Sequence, residues 1–452
     1  MRRNRFSMSR GRIVIPGDEY HIYGVSWDKS ANPVLTRTDN AVGKTANAGE
    51  GSSLATNDFD TAQIYRDMHE VVDTYGNVFI RIPKCYIRKT DGANSKTWQI
   101  SRKWRPGFYL PWCFWDFTNS RELPYIDIGK YNASLNAGKL ESKSGTYPVV
   151  ATNIVNMRAY ALANNVGELV GYQQMDIHVV DLLQTLFIVE FATLNSQSVM
   201  AGWTAGQYTA THLAVAGENN TNRIIVANAT ASLYAVGQPI SVGTFQGGNQ
   251  VFYGRTITAI DTYDANNKAI TFDGAPVNIA VGNYLYNTGW RSGFSADIAA
   301  SSGSLINGSN GKSPCMYRGI ENPFGSVYQW VDGLNINKYQ AWACANAADY
   351  ASNVFASPYE QLGYINSSAN GYAVAMGYDA DRPYVGLPVT STGDGATTYY
   401  GDYYYQATGQ RVAAVGGYWY FGSNAGLFYW NLGYASSHAN VYYGGRLLKK
   451  AL

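Results

Sequence analysis

Catalysis in this chain would have to come from a short supply of titratable side chains. Asp379, Asp381, Asp394 and Asp402 stand close together in the sequence. Two carboxyl groups set on either side of a glycosidic bond can protonate the leaving oxygen and stabilise the sugar cation. The same aspartates suit turns, where their side chains accept from nearby backbone N–H groups. The histidines His21, His69, His178 and His212 are scattered and read as ordinary surface or core residues, and His438 lies in an aromatic terminal stretch. Cys85, Cys113, Cys315 and Cys344 show no metal-ligand spacing, and their apolar neighbours mark them as buried free thiols. Gly393 to Gly395 lacks the strand, helix and later acid of a dinucleotide fingerprint, and neither a Gly-x-Ser-x-Gly turn nor a His-Glu-x-x-His helix occurs. No metal and no cofactor is expected.

What the chain has in quantity is uncharged. Its 452 residues hold 37 Tyr and 47 Gly, with charged residues at 15% against about 25% in ordinary soluble domains. This is the vocabulary of paratopes, where Tyr gives contact area and Gly, Ser and Asn give adaptable loops. Eleven tyrosines between Tyr399 and Tyr443 are too many phenols to bury with partners. Several should be exposed, and a patch of exposed Tyr reads as a binding surface. The alternative is a Tyr-rich hairpin core. Lys and Arg number 34 against 32 Asp and Glu, a net charge of +2, so no nucleic-acid partner is expected. The absence of an eighteen-residue apolar run argues against a membrane span. The basic start Met1-Arg2-Arg3-Asn4-Arg5 is not followed by the apolar core of a signal peptide, which predicts synthesis in the cytoplasm.

The length leaves room for two or three domains. Residues 1–130 read as short extended runs: Asn77 to Pro83 alternates, and Cys85-Tyr86-Ile87 follows as a partner strand. Residues 131–202 turn helical. Val155, Ala159, Leu162 and Ala163 recur at helical spacing, and a second helix begins at an Asp176 cap and runs to about Leu194. Residues 203–290 change to strand text, with a hairpin about Ala265-Asn266-Asn267, and read as an inserted small β-barrel or sandwich. Residues 291–452 return to Gly- and aromatic-rich loops with short strands.

Three pieces of this last part, in order, carry a resemblance: Gly325-Ser326-Val327-Tyr328-Gln329-Trp330-Val331-Asp332, Val415-Gly416-Gly417-Tyr418-Trp419, and Gly444-Gly445-Arg446-Leu447-Leu448. Together they resemble the formylglycine-generating-enzyme branch of the C-type lectin fold. The helices from Pro148-Val149 to Tyr160 and from Asp176 to Leu194 would be its helix pair. The resemblance implies an α+β lectin-like fold with an inserted all-β domain and a β-rich N-terminal region. Residues 417–448 are also similar to the variable segment of proteins diversified by retroelements, and to phage tail-tip receptor-binding proteins. The words Asn424-Ala425-Gly426-Leu427-Phe428-Tyr429-Trp430, Ala435-Ser436-Ser437 and Gly445-Arg446-Leu447 carry it. Tyr23-Gly24-Val25 with Trp27, and Phe79 to Lys84, look like the opening of phage structural proteins of this type.

Such diversification turns AAY codons into NNY codons, which cannot encode Trp, Gln, Glu, Lys or Met. Between Val412 and Leu448 only Trp419 and Trp430 belong to those types, and no Asp or Glu follows Asp402. The resemblance therefore implies a ligand-binding set of Tyr418, Tyr420, Phe421, Asn431, Gly433, Tyr434, Ser437, His438, Asn440, Tyr442 and Tyr443. Trp330, Trp419, Trp430 and Arg446 would be the scaffold, with Arg446 on a buried acid or on carbonyls. The family's oxidase activity uses cysteines in the closing segment, and none follows Cys344. For the lectin calcium site, Gln238-Pro239-Ile240 and Glu321-Asn322-Pro323 are poor imitations, and no Trp-Asn-Asp exists.

The expectation is a non-enzymatic receptor-binding protein of a phage tail. Its partners would be a host cell-surface protein or glycan and other virion tail proteins, with a homotrimer expected by analogy. Two other functions stay open. A structural virion protein would cover its terminal tyrosines with a neighbouring subunit. A glycan-cleaving tail enzyme would lose hydrolysis on Asp402→Asn.

Overall fold

The computed structural model describes residues 21–306, 310–379 and 382–452. Asp381 and the basic start of the chain lie outside the described residues. Among the described residues, strands account for 41% and helix for 11%, with three α-helices. The protein is therefore mostly β, and the α+β expectation is overturned. The two expected helices do form, but they are short. The Gly- and Tyr-rich stretches on either side of them pair as strands instead of staying loops.

Helix α1, Ile154–Leu162, starts where the Asn153 side chain accepts from the Asn156 N–H. Helix α2, Ile177–Phe191, is capped by Asp176, whose carboxylate accepts from the Val179 N–H, and it ends at Ala192 in the left-handed region. All fifteen of its residues are buried. A helix buried all round is the centre of its core rather than a face of it. The third helix, α3, is the single turn Asn228–Ala231. No helix among the described residues is long and apolar enough to cross a membrane.

A five-stranded sheet joins the two halves of the chain in the order Tyr172–Gln174, Leu447–Lys450, Tyr125–Gly129, Val78–Pro83, His69–Val72. The expected pairing of Tyr86 with the preceding strand does not occur: Tyr86–Asp91 pairs antiparallel with Lys96–Ser101, and Val78–Pro83 lies between Tyr125–Gly129 and His69–Val72. The Pro83 to Cys85 connection carries the chain from one sheet to another.

The largest sheet has nine strands. At its middle, Tyr328–Asn337 pairs antiparallel with Gln410–Val415 and parallel with the two-residue strand Tyr443–Gly444. Gln410–Val415 in turn pairs with Trp430–Tyr434. The pieces singled out at 325–332, 415–419 and 444–448 are thus neighbours in space.

Residues 203–290 contain a five-stranded antiparallel sheet, Arg223–Ala227, Asn267–Phe272, Gly248–Thr262, Pro239–Phe245 and Tyr284–Asn287. It has its own core, which includes Ile224, Val242, Phe252, Ile270 and Leu285. The hairpin expected near Asn266 is present. Asp264 Oδ1 accepts from the backbone N–H groups of Asn266 and Asn267 at 2.8 and 2.9 Å, the Asx geometry that starts such turns.

Candidate functional site

The alternation of the Tyr328–Asn337 strand sends Tyr328 and Trp330 to one face and Gln329 and Val331 to the other. On the first face the rings pack in layers. Tyr443 stacks on Trp330 at 4.4 Å and on Tyr328 at 4.7 Å between centroids. Tyr418 stacks on Tyr442 at 4.5 Å, and the Tyr328 and Tyr429 hydroxyls bond at 2.8 Å. Offset stacks of this kind add about 0.5–1.5 kcal/mol each beyond the area they bury.

On the second face Arg446 is fully buried. Its Nε donates to Gln329 Oε1 at 2.8 Å, and its terminal nitrogens donate to the carbonyls of Gly129, Lys130, Glu321 and Asn322 at 2.7–3.1 Å. Of the two partners foreseen for it, the structure supplies carbonyls. Burial pulls the guanidinium down to about 9; five bonds to oxygen acceptors hold it charged near neutrality. Trp330, Trp419 and Trp430 are buried as expected of a scaffold. The Trp330 indole N–H reaches the Thr152 carbonyl at 2.9 Å, whereas those of Trp419 and Trp430 have no partner.

The closing segment is tied down through its backbone. Gly206 donates to the Trp419 carbonyl, Gly422 donates to Thr204, Ala151 donates to Asn440, and Tyr328 donates to Tyr442. Ala133 and Met175 donate to the carbonyls of Gly445 and Arg446. Gly417, at φ +74°, brings the chain against Ala425, where a Cβ would stand 2.6 Å from the alanine methyl. The path of residues 417–448 is thus set by main-chain bonds that are indifferent to the side chains they carry.

The expected contact residues divide into two groups. Tyr420 is 46% exposed and Ser437 is exposed, while Phe421, Gly433, Tyr434, His438, Asn440 and Tyr442 are half-buried. Three do not face outward: Tyr418 is 7% exposed, Asn431 4% and Tyr443 0%. Asn431 Nδ2 donates to the Tyr443 hydroxyl at 2.9 Å, a closed pair inside the ring cluster. Gly433 has no room to vary freely, since a Cβ there would stand 2.3 Å from the Tyr405 ring. His438 stacks on Tyr434 at 4.0 Å, and partial burial holds its imidazole below the usual range. Burial likewise pushes the Tyr442 phenol up to about 12, so that phenol is uncharged at neutral pH.

One member of this face comes from residues that sequence reasoning left in the insert. Tyr208 lies edge-on to Trp419 and Tyr442 at 6.2 and 5.9 Å and tilts against Tyr420 at 6.2 Å. Nothing local marks it; only the closure of the fold brings 208 beside 420.

Of the acids read as a possible pair, Asp394 is exposed and the Asp379 side chain lies outside what is described; the remaining candidates are accounted for by packing. Asp402 is enclosed, accepts from the Phe428 N–H at 2.7 Å, and fills the space a side chain at Gly426 would need. Burial raises its carboxyl well above the ordinary range. A residue so placed braces a turn and has no route to a glycan. Gln238 accepts from the Ala235 N–H, and Glu321 accepts from the N–H groups of Gly293 and Ser295, so both calcium-like words serve the backbone. His21 and His212 bond tyrosine hydroxyls, and His69 and His178 bond carbonyls. The four cysteines are buried free thiols.

Compared with the models of known protein families and with curated proteins, the chain matches none.

Proposed function

We propose that the chain is a non-enzymatic receptor-binding protein of a phage tail. Residues 417–448 would present Tyr420, Phe421, Tyr434, Ser437, His438, Asn440 and Tyr442 to a host cell-surface protein or glycan. The observation that carries this reading is the separation of duties within one segment. The backbone is held by the Arg446 and main-chain bonds described above, while outward side chains from several turns share one aromatic and polar face. Tyr and Asn on a preset frame lose little conformational freedom on binding, which is the economy that paratopes use. The NNY-compatible composition supports diversification of that face by a retroelement. The variable set then contracts from the one read in the sequence, because exchange at Tyr418, Asn431 or Tyr443 would reopen the packed rings beneath. Several copies on a virion would multiply a weak single-site affinity.

The test is a Tyr420→Ser, Tyr434→Ser double variant of the purified chain. It should keep the parent's melting temperature and lose binding to host cells at least tenfold. Undiminished binding by the folded variant would sink the reading. Sequencing clones from the same source is the separate test of diversification: substitutions should gather at the outward positions of 417–448 and spare Tyr443, Trp419, Trp430 and Arg446.

A further inference from the structure

Two contacts seat the inserted sheet against the rest of the chain. At one, the Tyr147 hydroxyl and Thr256 Oγ1 bond at 2.9 Å, and Gly254, at φ +70°, lays bare backbone on the Tyr147 ring, where a Cβ would stand 2.5 Å from a ring carbon. At the other, Gly247 at the hairpin turn faces the Tyr208 hydroxyl and Val441 at 2.1 and 3.3 Å from its Cβ position. Neither glycine could be replaced without lifting the insert.

Between the two contacts lies an open cleft of about 850 Å³, walled by residues 134–136, 146–151 and 247–250 with Tyr253 and Val441. Ligand sites run from roughly 300 to 1,000 Å³. Its chemistry is specific. Glu141, the carboxylate among the described lining residues, is matched by Lys143 at 2.7 Å and by Asn136 Nδ2 at 3.2 Å. The walls therefore present no uncompensated charge. Ser134, nine-tenths buried, keeps a hydroxyl with no hydrogen-bond partner. Gln250 spends its oxygen on the Tyr286 hydroxyl at 2.5 Å and keeps its amide N–H groups for another acceptor. A buried hydroxyl left unbonded carries a desolvation cost that a ligand hydroxyl would relieve.

We infer that this cleft binds a neutral oligosaccharide. The sugar hydroxyls would pair with Ser134, Asn136 and the Gln250 amide, and the apolar faces of its rings would lie on Val149 and Val441. A charged ligand would find no counter-charge to offset its desolvation. The inference does not rest on the tyrosine face being a receptor site. It gives the insert a second function, as one wall of a saccharide site.

The experiment is saturation-transfer NMR on the full chain with maltotetraose, chitotetraose and mannotetraose. At least one should receive transfer. Asn136→Arg, which puts a long cation into the cleft from an exposed strand position, should weaken that binding at least tenfold. Ser134→Ala should weaken it several-fold, and it serves if the first variant fails to fold. Val236→Ser, at an exposed position outside both sites, should leave it unchanged, and host-cell binding of the cleft variants is measured beside it, so loss of host binding and loss of sugar binding are read separately. Transfer from none of the three sugars, or transfer unaffected by both cleft variants, overturns the inference. An Asn136→Arg variant that instead changes the oligomeric state of a chain indifferent to all three sugars assigns the cleft to a second copy.

Discussion

The core around α2 and the closing aromatic face are both rigid, by opposite means. Around α2 several of the buried polar groups are ionic and matched. Glu190, fully buried, receives Arg318 through Nε and Nη2 at 2.6–3.0 Å and Asn57 Nδ2 at 2.8 Å, and Arg318 also reaches Asp60 at 2.6 Å. Arg158 grips Asp332 with two bonds at 2.6 and 2.7 Å. In the closing face Arg446 has no carboxylate on it, and rings and carbonyls do the holding. The difference teaches where variation is tolerated. A matched ion pair fixes the identity of two side chains. A guanidinium set mainly on carbonyls fixes its own and, through Nε, that of Gln329, and leaves the rest of the strands it clamps free to carry other residues.

The comparison breaks first at its anchors. Arg446→Leu strands four carbonyls and Gln329 in the interior, and a loss of at least about 4 kcal/mol is expected from chemical denaturation. Arg446→Lys should recover little of it, because an ammonium cannot reach acceptors spread as these are. Glu190→Gln keeps one acceptor oxygen but removes the buried counter-charge, leaving Asp60 as the carboxylate bonded to Arg318, and should cost about 3 kcal/mol. If the two anchors differed by much more than this, one region would be the keel of the fold and the other an appendage. Comparable losses place both in one cooperative unit.

These anchors also show what could be read from the chain alone. The α2 cap was legible because Asp176 sits immediately before an apolar run, and the strands within residues 203–290 because they alternate and their Asx turn is local. Arg446 and the tryptophans were expected as scaffold from the resemblance, and the structure buries all four. Three things were not legible. The partner of the Tyr86 strand is set by a change of sheet at Pro83 to Cys85, which no periodicity records. The overall balance towards β rests partly on many strands of two to six residues, too short to show a period, and partly on long ones such as Tyr328–Asn337 and Gly371–Asp379, whose pattern glycine interrupts. The inward turn of Tyr443 and Asn431 was hidden because Tyr is apolar along its ring and polar at its tip, so its sequence neighbours do not say which end meets water.

Tyr443→Phe sharpens that last point. The stack on Trp330 and Tyr328 survives, but Asn431 Nδ2 loses its acceptor inside the cluster, and a loss of about 1 kcal/mol in denaturation is expected. Tyr420→Ser, at the exposed rim of the same segment, should change stability by less than about 0.5 kcal/mol. Equal losses at the two positions would mean that the closing face is one packed unit with no separate outward layer.

The smallest effect is a pH dependence at the boundary between the layers. His438 lies against the rings of Tyr434, Tyr443 and Trp330, and its Nε2 is buried without a partner. Desolvation lowers its pKa below the ordinary 6.5. With the folded value depressed, the unfolded chain takes up a proton first as pH falls. The stability this group contributes is therefore complete above pH 6.5 and declines below it, levelling once the folded imidazole is also protonated. His178 and His212 are lowered by burial in the same sense, so the signal is the difference between the parent and His438→Asn, not the parent's slope alone. NMR titration should place the His438 midpoint below 6.5, and the parent's denaturation midpoint should fall more steeply than the variant's as pH drops through that window. A midpoint at or above 6.5 would mean that the imidazolium is welcomed by the tyrosine rings, making His438 part of the outward layer rather than the seam beneath it.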